Sequence, residues 1–205
     1  MESFSKTIFD YWRGRDLAAP AAALRIKERP CGMFFEKKFK TGIGSRSPNL
    51  DVVFYLGNGG CFAIESKFTE PLTKSTAHSL IKEKYFAGGT KFWANRGLPV
   101  TQRLADNIRE GRIKFDYLDA AQLLKHMLGL ATTDSDWQLH YLWFDAGKAL
   151  SDEHREEIEQ FAKYLGPETA HFTAQTYQGF YNRLAASLGA EHQKYLSYLK
   201  SRYFS

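Results

Sequence analysis

The stretch Leu50–Phe68, LDVVFYLGNGGCFAIESKF, constrains the fold more than any other part of the chain. Two runs rich in apolar β-formers flank GNGG, the pattern of a β-hairpin. Successive strand side chains face opposite ways, so Ala63, Glu65 and Lys67 share one face while Phe62, Ile64 and Phe68 take the other. One reading of the first face is a solvated antiparallel sheet carrying an ordinary Glu–Lys pair. The other reading rests on Asp51, which opens the first run and which a tight hairpin would set beside Glu65 and Lys67. Register decides between them. A two-residue Asn58-Gly59 turn pairs Asp51 with Ser66 and puts its carboxylate on the wrong face. An odd-length loop with a left-handed Gly, or a bulge, pairs it with Glu65 or Lys67, and this is the geometry expected.

Around the hairpin the pattern is α/β. Phe4, Ile8, Tyr11 and Trp12 recur at helical spacing, predicting helix from Ser3 to about Glu28, broken at Pro20 and stopped by Pro30. Met33–Phe39 reads as a strand. Helices are expected over Thr76–Phe86, Gln102–Glu110 and Asp116–Leu128, then a strand over Gln138–Phe144 and a helix capped by Ser151 running to about Leu165. A short strand over His171–Thr176 and helices over Tyr177–Leu188 and Glu191–Tyr203 complete the order. This order predicts a central mixed sheet flanked by helices. At 205 residues it suits a single domain, with a core over 1–150 and a mostly helical extension over 151–205.

The hydrophobic fraction of 43% supplies a core, and the net charge of +5 is compatible with a polyanionic partner without demonstrating one. The first ten residues lack the basic and apolar regions of a secretory signal, and no apolar run approaches the roughly 18 residues of a membrane span. A cytoplasmic protein is expected. Cys31 and Cys61 are far apart and read as buried small hydrophobes, and the six histidines show no zinc spacing. No GxSxG, Walker loop or GxGxxG is present.

The pattern D-x13-E-S-K on a hairpin preceded by helix and strand resembles the PD-(D/E)xK nuclease superfamily, the restriction-endonuclease-like fold. More narrowly, SPNLD followed by ESKFTEP is similar to bacterial restriction-endonuclease-like proteins, although Pro48 stands three residues before Asp51 instead of adjoining it. The resemblance implies a Mg²⁺-dependent endonuclease, with Mn²⁺ as a substitute, hydrolysing DNA phosphodiester bonds. Asp51 and Glu65 would be metal ligands, the backbone carbonyl of Ser66 a third, and Lys67 the residue that orients or activates the attacking water. Relatives often add an acid from the first helix, for which Glu28 is the better candidate and Glu36 the weaker. Gln175, Tyr177 and Gln178 are similar to later Gln and Tyr residues of some nuclease families, though the spacing differs.

Lys37, Lys38, Lys40, Arg46 and Lys74 make the neighbourhood basic, suited to phosphate contacts on nucleic acid, with double-stranded DNA as the expected substrate. Phe34, Phe35, Phe39 and Phe68 are expected in the core rather than as stacking platforms. A homodimer is compatible with this class. Two alternatives stay open: a catalytically silent nuclease-fold module that binds nucleic acid or protein, and a small-molecule enzyme or structural α/β protein in which the Glu–Lys pair is surface decoration.

Overall fold

The computed structural model describes residues 4–43, 47–68, 74, 81–86, 89, 91–147 and 149–204, and of Phe4 and Leu150 only the backbone. Its centre is a five-stranded sheet in the order β1 (Pro30–Lys38), β2 (Asn49–Leu56), β3 (Cys61–Lys67), β4 (Trp137–Trp143) and β5 (Phe172–Thr176). The first three strands are antiparallel and the last three parallel. Helices α1 (Phe4–Phe9) and α2 (Ala18–Ala23) precede β1; α3 (Pro99–Arg109) and α4 (Ala120–Leu130) lie between β3 and β4; α5 (Ala149–Leu165) precedes β5; α6 (Tyr177–Ser187) and α7 (Gln193–Tyr203) follow it. None of these helices is long and apolar enough to cross a membrane.

Strand alternation divides the interior into two cores. Val53, Ala63, Leu139 and Tyr141 pack with Leu104 and Ile108 of α3, Leu124 and Met127 of α4 and Phe161 of α5. Val52, Phe54, Phe62, Ile64 and Leu142 pack on the opposite face with Ile8, Phe9, Ala23, Phe180, Leu184, Leu196 and Leu199. Each fully buried Leu or Phe stabilises the fold by about 1.5–3 kcal/mol, and β3 and β4, covered on both faces, read as nearly continuous apolar runs for that reason. The segment after Ser151 is part of this body: it supplies β5, the α5 contribution to the first core and two of the helices that close the second.

Several local expectations are corrected. The N-terminal helix breaks over residues 13–17, not at Pro20, which is the third residue of α2 and so occupies a turn whose N–H groups lack intrahelical partners. Of the expected helix over Thr76–Phe86, residues 76–80 lie outside the described residues, Ile81 and Lys82 are not helical, and Glu83–Phe86 is a 3-10 turn. Ser151 lies inside α5, where its Oγ accepts from the Ala146 N–H at 3.1 Å. Cys31 is exposed because it is the extra residue of a β-bulge between Pro30 and Gly32. Phe34 is 51% exposed on edge strand β1, whereas Phe39 is buried.

Two carboxylates brace the helices over the first core. Glu157 of α5 accepts from the backbone N–H groups of Asp116, Tyr117 and Leu118 at 2.6, 2.9 and 2.7 Å, fixing the segment that leads into α4. Glu168 accepts from Val100 and Thr101 at 2.6 and 2.7 Å, capping α3. Hydrogen bonds to a charged acceptor contribute about 1.5–3 kcal/mol each. Glu157→Ala is therefore expected to lower unfolding free energy by about 2–4 kcal/mol, read by urea denaturation; a loss below about 0.5 kcal/mol would mean that water replaces the carboxylate at no cost.

Candidate functional site

The hairpin has an odd-length loop. Leu56 N–H donates to Gly60 O at 2.9 Å and Gly59 N–H to Leu56 O at 3.0 Å, leaving Gly57, Asn58 and Gly59 as the loop. Gly59 takes φ +86°, a left-handed conformation that Gly adopts without steric cost. Gly60 is constrained by space: a Cβ there would lie 2.8 Å from Asp136 O. The ladder runs Phe54↔Phe62, Val53↔Ala63, Val52↔Ile64, and one step beyond its last pair the same register sets Asp51 opposite Glu65, on the face of the first core.

At that end the side chains take over from the ladder. Asp51 Oδ2 accepts from the Ser66 N–H at 2.8 Å. Glu65, only 2% exposed, is held on both oxygens: Lys67 Nζ is 2.8 Å from Oε1 and His126 Nε2 is 3.0 Å from Oε2. The Lys67 side chain is itself only 15% exposed. These values exclude a solvated sheet face. His126, 1% exposed, comes from α4, and neither ring nitrogen has an aligned hydrogen-bond partner among the described residues, so the contact with Glu65 is one of charge and proximity.

The position of α4 follows from its sequence. Asp119 caps it by accepting from the Gln122 N–H at 2.8 Å. Gly129 lets it close on the β1–β2 connection: a Cβ there would come within 3.1 Å of Phe39 O and 3.2 Å of Pro48 Cγ. His126 is a residue that the sequence reading missed. Its signal is a titratable side chain among the buried positions of AAQLLKHMLGL, where Leu123, Met127 and Leu130 are all core.

Burial and the charge of Glu65 push the Asp51 carboxyl up to about 7, against the opposing pull of the Ser66 N–H, Lys67 and His126. Burial acts in the same sense on Glu65, but His126 and Lys67 outweigh it and hold that carboxyl below its ordinary range. The two acids are thus driven apart: one ionised, one poised. On α4 beside His126, burial lowers the Lys125 ammonium below its usual value.

Other expected site residues are placed elsewhere. Glu28 lines a cavity at the opposite end of β3, with Cys61 and Phe62, so it does not reach Glu65. Glu36 neighbours Asp51 in the strand register, but its backbone turns to φ +52° and its exposed carboxylate meets Lys6 of α1 at 3.6 Å. Lys37, Lys38 and Lys40 are exposed at the Asp51 end of β1 and β2, Lys74 is exposed and paired with Asp116 at 2.6 Å, and Arg46 lies outside the described residues. Tyr177 touches the hairpin, its hydroxyl 2.5 Å from Ser66 Oγ on the second face. Gln178 bonds the backbone of Asp145, and Gln175 bonds Arg183. Among the described residues no three His, Cys, Asp or Glu side chains are grouped to hold a metal ion.

Against known proteins, a family model described as restriction endonuclease associating with ARP matches residues 9–204. No curated protein and no solved structure matches the chain.

In protein stripped of divalent cations, the folded Asp51 carboxyl titrates near 7 and the unfolded one near 4. The folded state keeps a proton that the unfolded state releases, so this contribution to stability is complete below about pH 4 and is lost as pH rises through about 7. The displacement corresponds to about 4 kcal/mol. Asp51→Asn in EDTA should melt at a higher temperature than wild type at pH 8, with the two converging at pH 4. Equal melting temperatures at pH 8 would mean that the carboxylate is not desolvated.

Proposed function

The chain belongs to the family of restriction endonucleases associating with ARP, and from that premise we propose that it is a metal-dependent endonuclease of the PD-(D/E)xK kind, hydrolysing phosphodiester bonds of double-stranded DNA. The observation that carries this reading is the register that sets Asp51 opposite Glu65, with Lys67 beside them, in a nearly closed site.

The residues fit a hard divalent cation such as Mg²⁺ or Mn²⁺. Two carboxylates converge, and the negative charge of Asp51 lacks enough local compensation to ionise at its ordinary pH, the deficit that a bound cation removes. Asp51, Glu65 and the Ser66 carbonyl would hold it; in a strand that carbonyl points to the same side as the Ser66 N–H, which already meets Asp51. Two side chains and one main-chain oxygen also agree with the lack of a three-side-chain cluster among the described residues. When bound, the cation lowers the pKa of an attacking water and stabilises charge on the phosphate.

The chain's own groups then have separate tasks. Lys67 keeps a positive charge at the site and orients the water, Glu65 fixes the Lys67 ammonium, and His126 fixes Glu65 from the helix layer. The water oxygen bonds to phosphorus as the ester P–O bond breaks. Lys37, Lys38 and Lys40 offer phosphate contacts at the same end of the sheet. Dimerisation would allow both strands to be cut. A catalytically silent module is the second reading, favoured by the fact that both Glu65 oxygens already face partners, Lys67 and His126.

Calorimetric titration of Mn²⁺ and Mg²⁺, run beside plasmid cleavage, separates the two. Binding should disappear in Asp51→Ala and Glu65→Ala, and cleavage should fall at least about a hundredfold in both and in Lys67→Ala. Salt-dependent DNA binding with no metal binding, and no change in Lys67→Ala, would replace the endonuclease by the silent module.

A further inference from the structure

Across the sheet from Glu65 lies a cavity of about 870 Å³, between the end of α2, the starts of β3 and β4, β5 and α6. Two guanidinium groups, Arg25 and Arg183, line it together with the buried ring of His140 and the amide of Gln175. Lys27 adds a third positive charge, and Glu28 and Asp136 are the acids of its wall.

Three features mark this cavity. The first is a pair of orphaned buried nitrogens. His140 is 2% exposed; its Nδ1 meets Thr173 Oγ1 at 2.7 Å, and among the described residues neither its Nε2 nor the buried Gln175 Nε2 has a partner. Each orphaned group costs about 1–3 kcal/mol unless something fills the cavity and pairs with it. The second is the backbone of Arg25. Helix α2 ends in a Schellman motif, with Ile26 N–H donating to Ala21 O at 2.9 Å, and Arg25 occupies the left-handed position with φ +61°. Gly is the favoured residue there, and an L side chain costs about 1 kcal/mol or more. The third is crowding of like charge: burial and the neighbouring Arg25 lower the Arg183 guanidinium, and burial with both arginines pushes His140 down to about 3, keeping its ring neutral. Arg183 is anchored, since its Nε donates to Ala23 O at 2.8 Å and its Nη2 meets Gln175 Oε1.

We propose that this cavity binds a nucleoside phosphate, its phosphate between Arg25 and Arg183 and its base in the remaining volume. The paired guanidinium groups supply the charge-assisted donors that a phosphate takes up. Inorganic phosphate alone would leave most of the cavity empty, whereas pockets of this size enclose ligands of nucleotide dimensions. A flat wall is available where Trp137 stacks on His171 with ring centroids 4.3 Å apart. The orphaned His140 and Gln175 nitrogens give directional contacts, and Glu28 and Asp136 accept from ribose hydroxyls or an exocyclic amine.

The test is calorimetry in EDTA with adenosine, guanosine, cytidine and uridine 5′-monophosphates, their nucleosides and inorganic phosphate. At least one mononucleotide should bind at least tenfold more tightly than its nucleoside and than inorganic phosphate. Arg25→Gly should weaken that binding at least tenfold while leaving the melting temperature of the free protein unchanged or raised, because Gly suits φ +61°. Arg25→Asn, also tolerated in the left-handed region, provides a second variant. Asp51→Ala should bind the mononucleotide as wild type does, which separates this site from the endonuclease reading. Binding of none of the four, equal binding in both Arg25 variants, or phosphate binding as tightly as the mononucleotides would overturn the proposal.

Discussion

The Glu65 carboxylate, held between Lys67 on its own strand and His126 on α4, ties the sheet to the helix layer that covers it. Removing an ionised carboxylate from water costs several kcal/mol, and the interior repays that cost only when opposite charges meet it closely. Here the Lys67 ammonium does, with the His126 ring closing on the other oxygen from a different element, and the result is a carboxyl held below its ordinary range at 2% exposure. The Asp119 cap, the closeness allowed by Gly129 and the grip of Glu157 on residues 116–118 all set where α4 lies, and therefore where His126 stands.

Asp51 depends on the same arrangement in the opposite sense. It faces an acid whose two oxygens are already taken by Lys67 and His126, so burial and Glu65 act on it with only partial compensation, and its proton is retained to about pH 7. Its one hydrogen-bond partner among the described residues is the Ser66 N–H, and the paired residues of β2 and β3 end at Val52 and Ile64. A side chain thus takes the hydrogen bond next in line to the ladder, and polar backbone and carboxylate are presented together where the strand pairing ends.

The hairpin was legible because strand alternation is a short-range rule: Glu65 and Lys67 had to share a face, and the requirement that Asp51 join them predicted the loop length that Gly57, Asn58 and Gly59 form. The sheet flanked by helices was legible from the order of periodic segments. His126 was not, because a residue 61 positions beyond Glu65 reaches it only through the docking of α4, which local pattern does not encode. Glu28 was misplaced for the same reason: the break near Arg13 and the early end of α2 swing the chain to the far end of β3. Glu36 failed on a single dihedral, the positive φ that turns it toward Lys6. Cys31 and Phe34 illustrate the limit of composition: both are apolar, and edge-strand geometry leaves both exposed.

Period-two alternation also explains how acidic and basic chemistry coexist within one strand pair. Glu65 stands opposite Tyr141 and Ile64 opposite His140, adjacent rows whose side chains leave the sheet in opposite directions. The acids Asp51 and Glu65 therefore belong to one layer, and the Arg25–Arg183 pair to the other, with the strands and the apolar side chains of both cores between them. On a single face the guanidinium groups would pair with the carboxylates. The sheet keeps the two sets apart, so Asp51 and Glu65 answer only to the groups of their own layer, Lys67, His126 and the Ser66 N–H, and Arg25 and Arg183 to theirs.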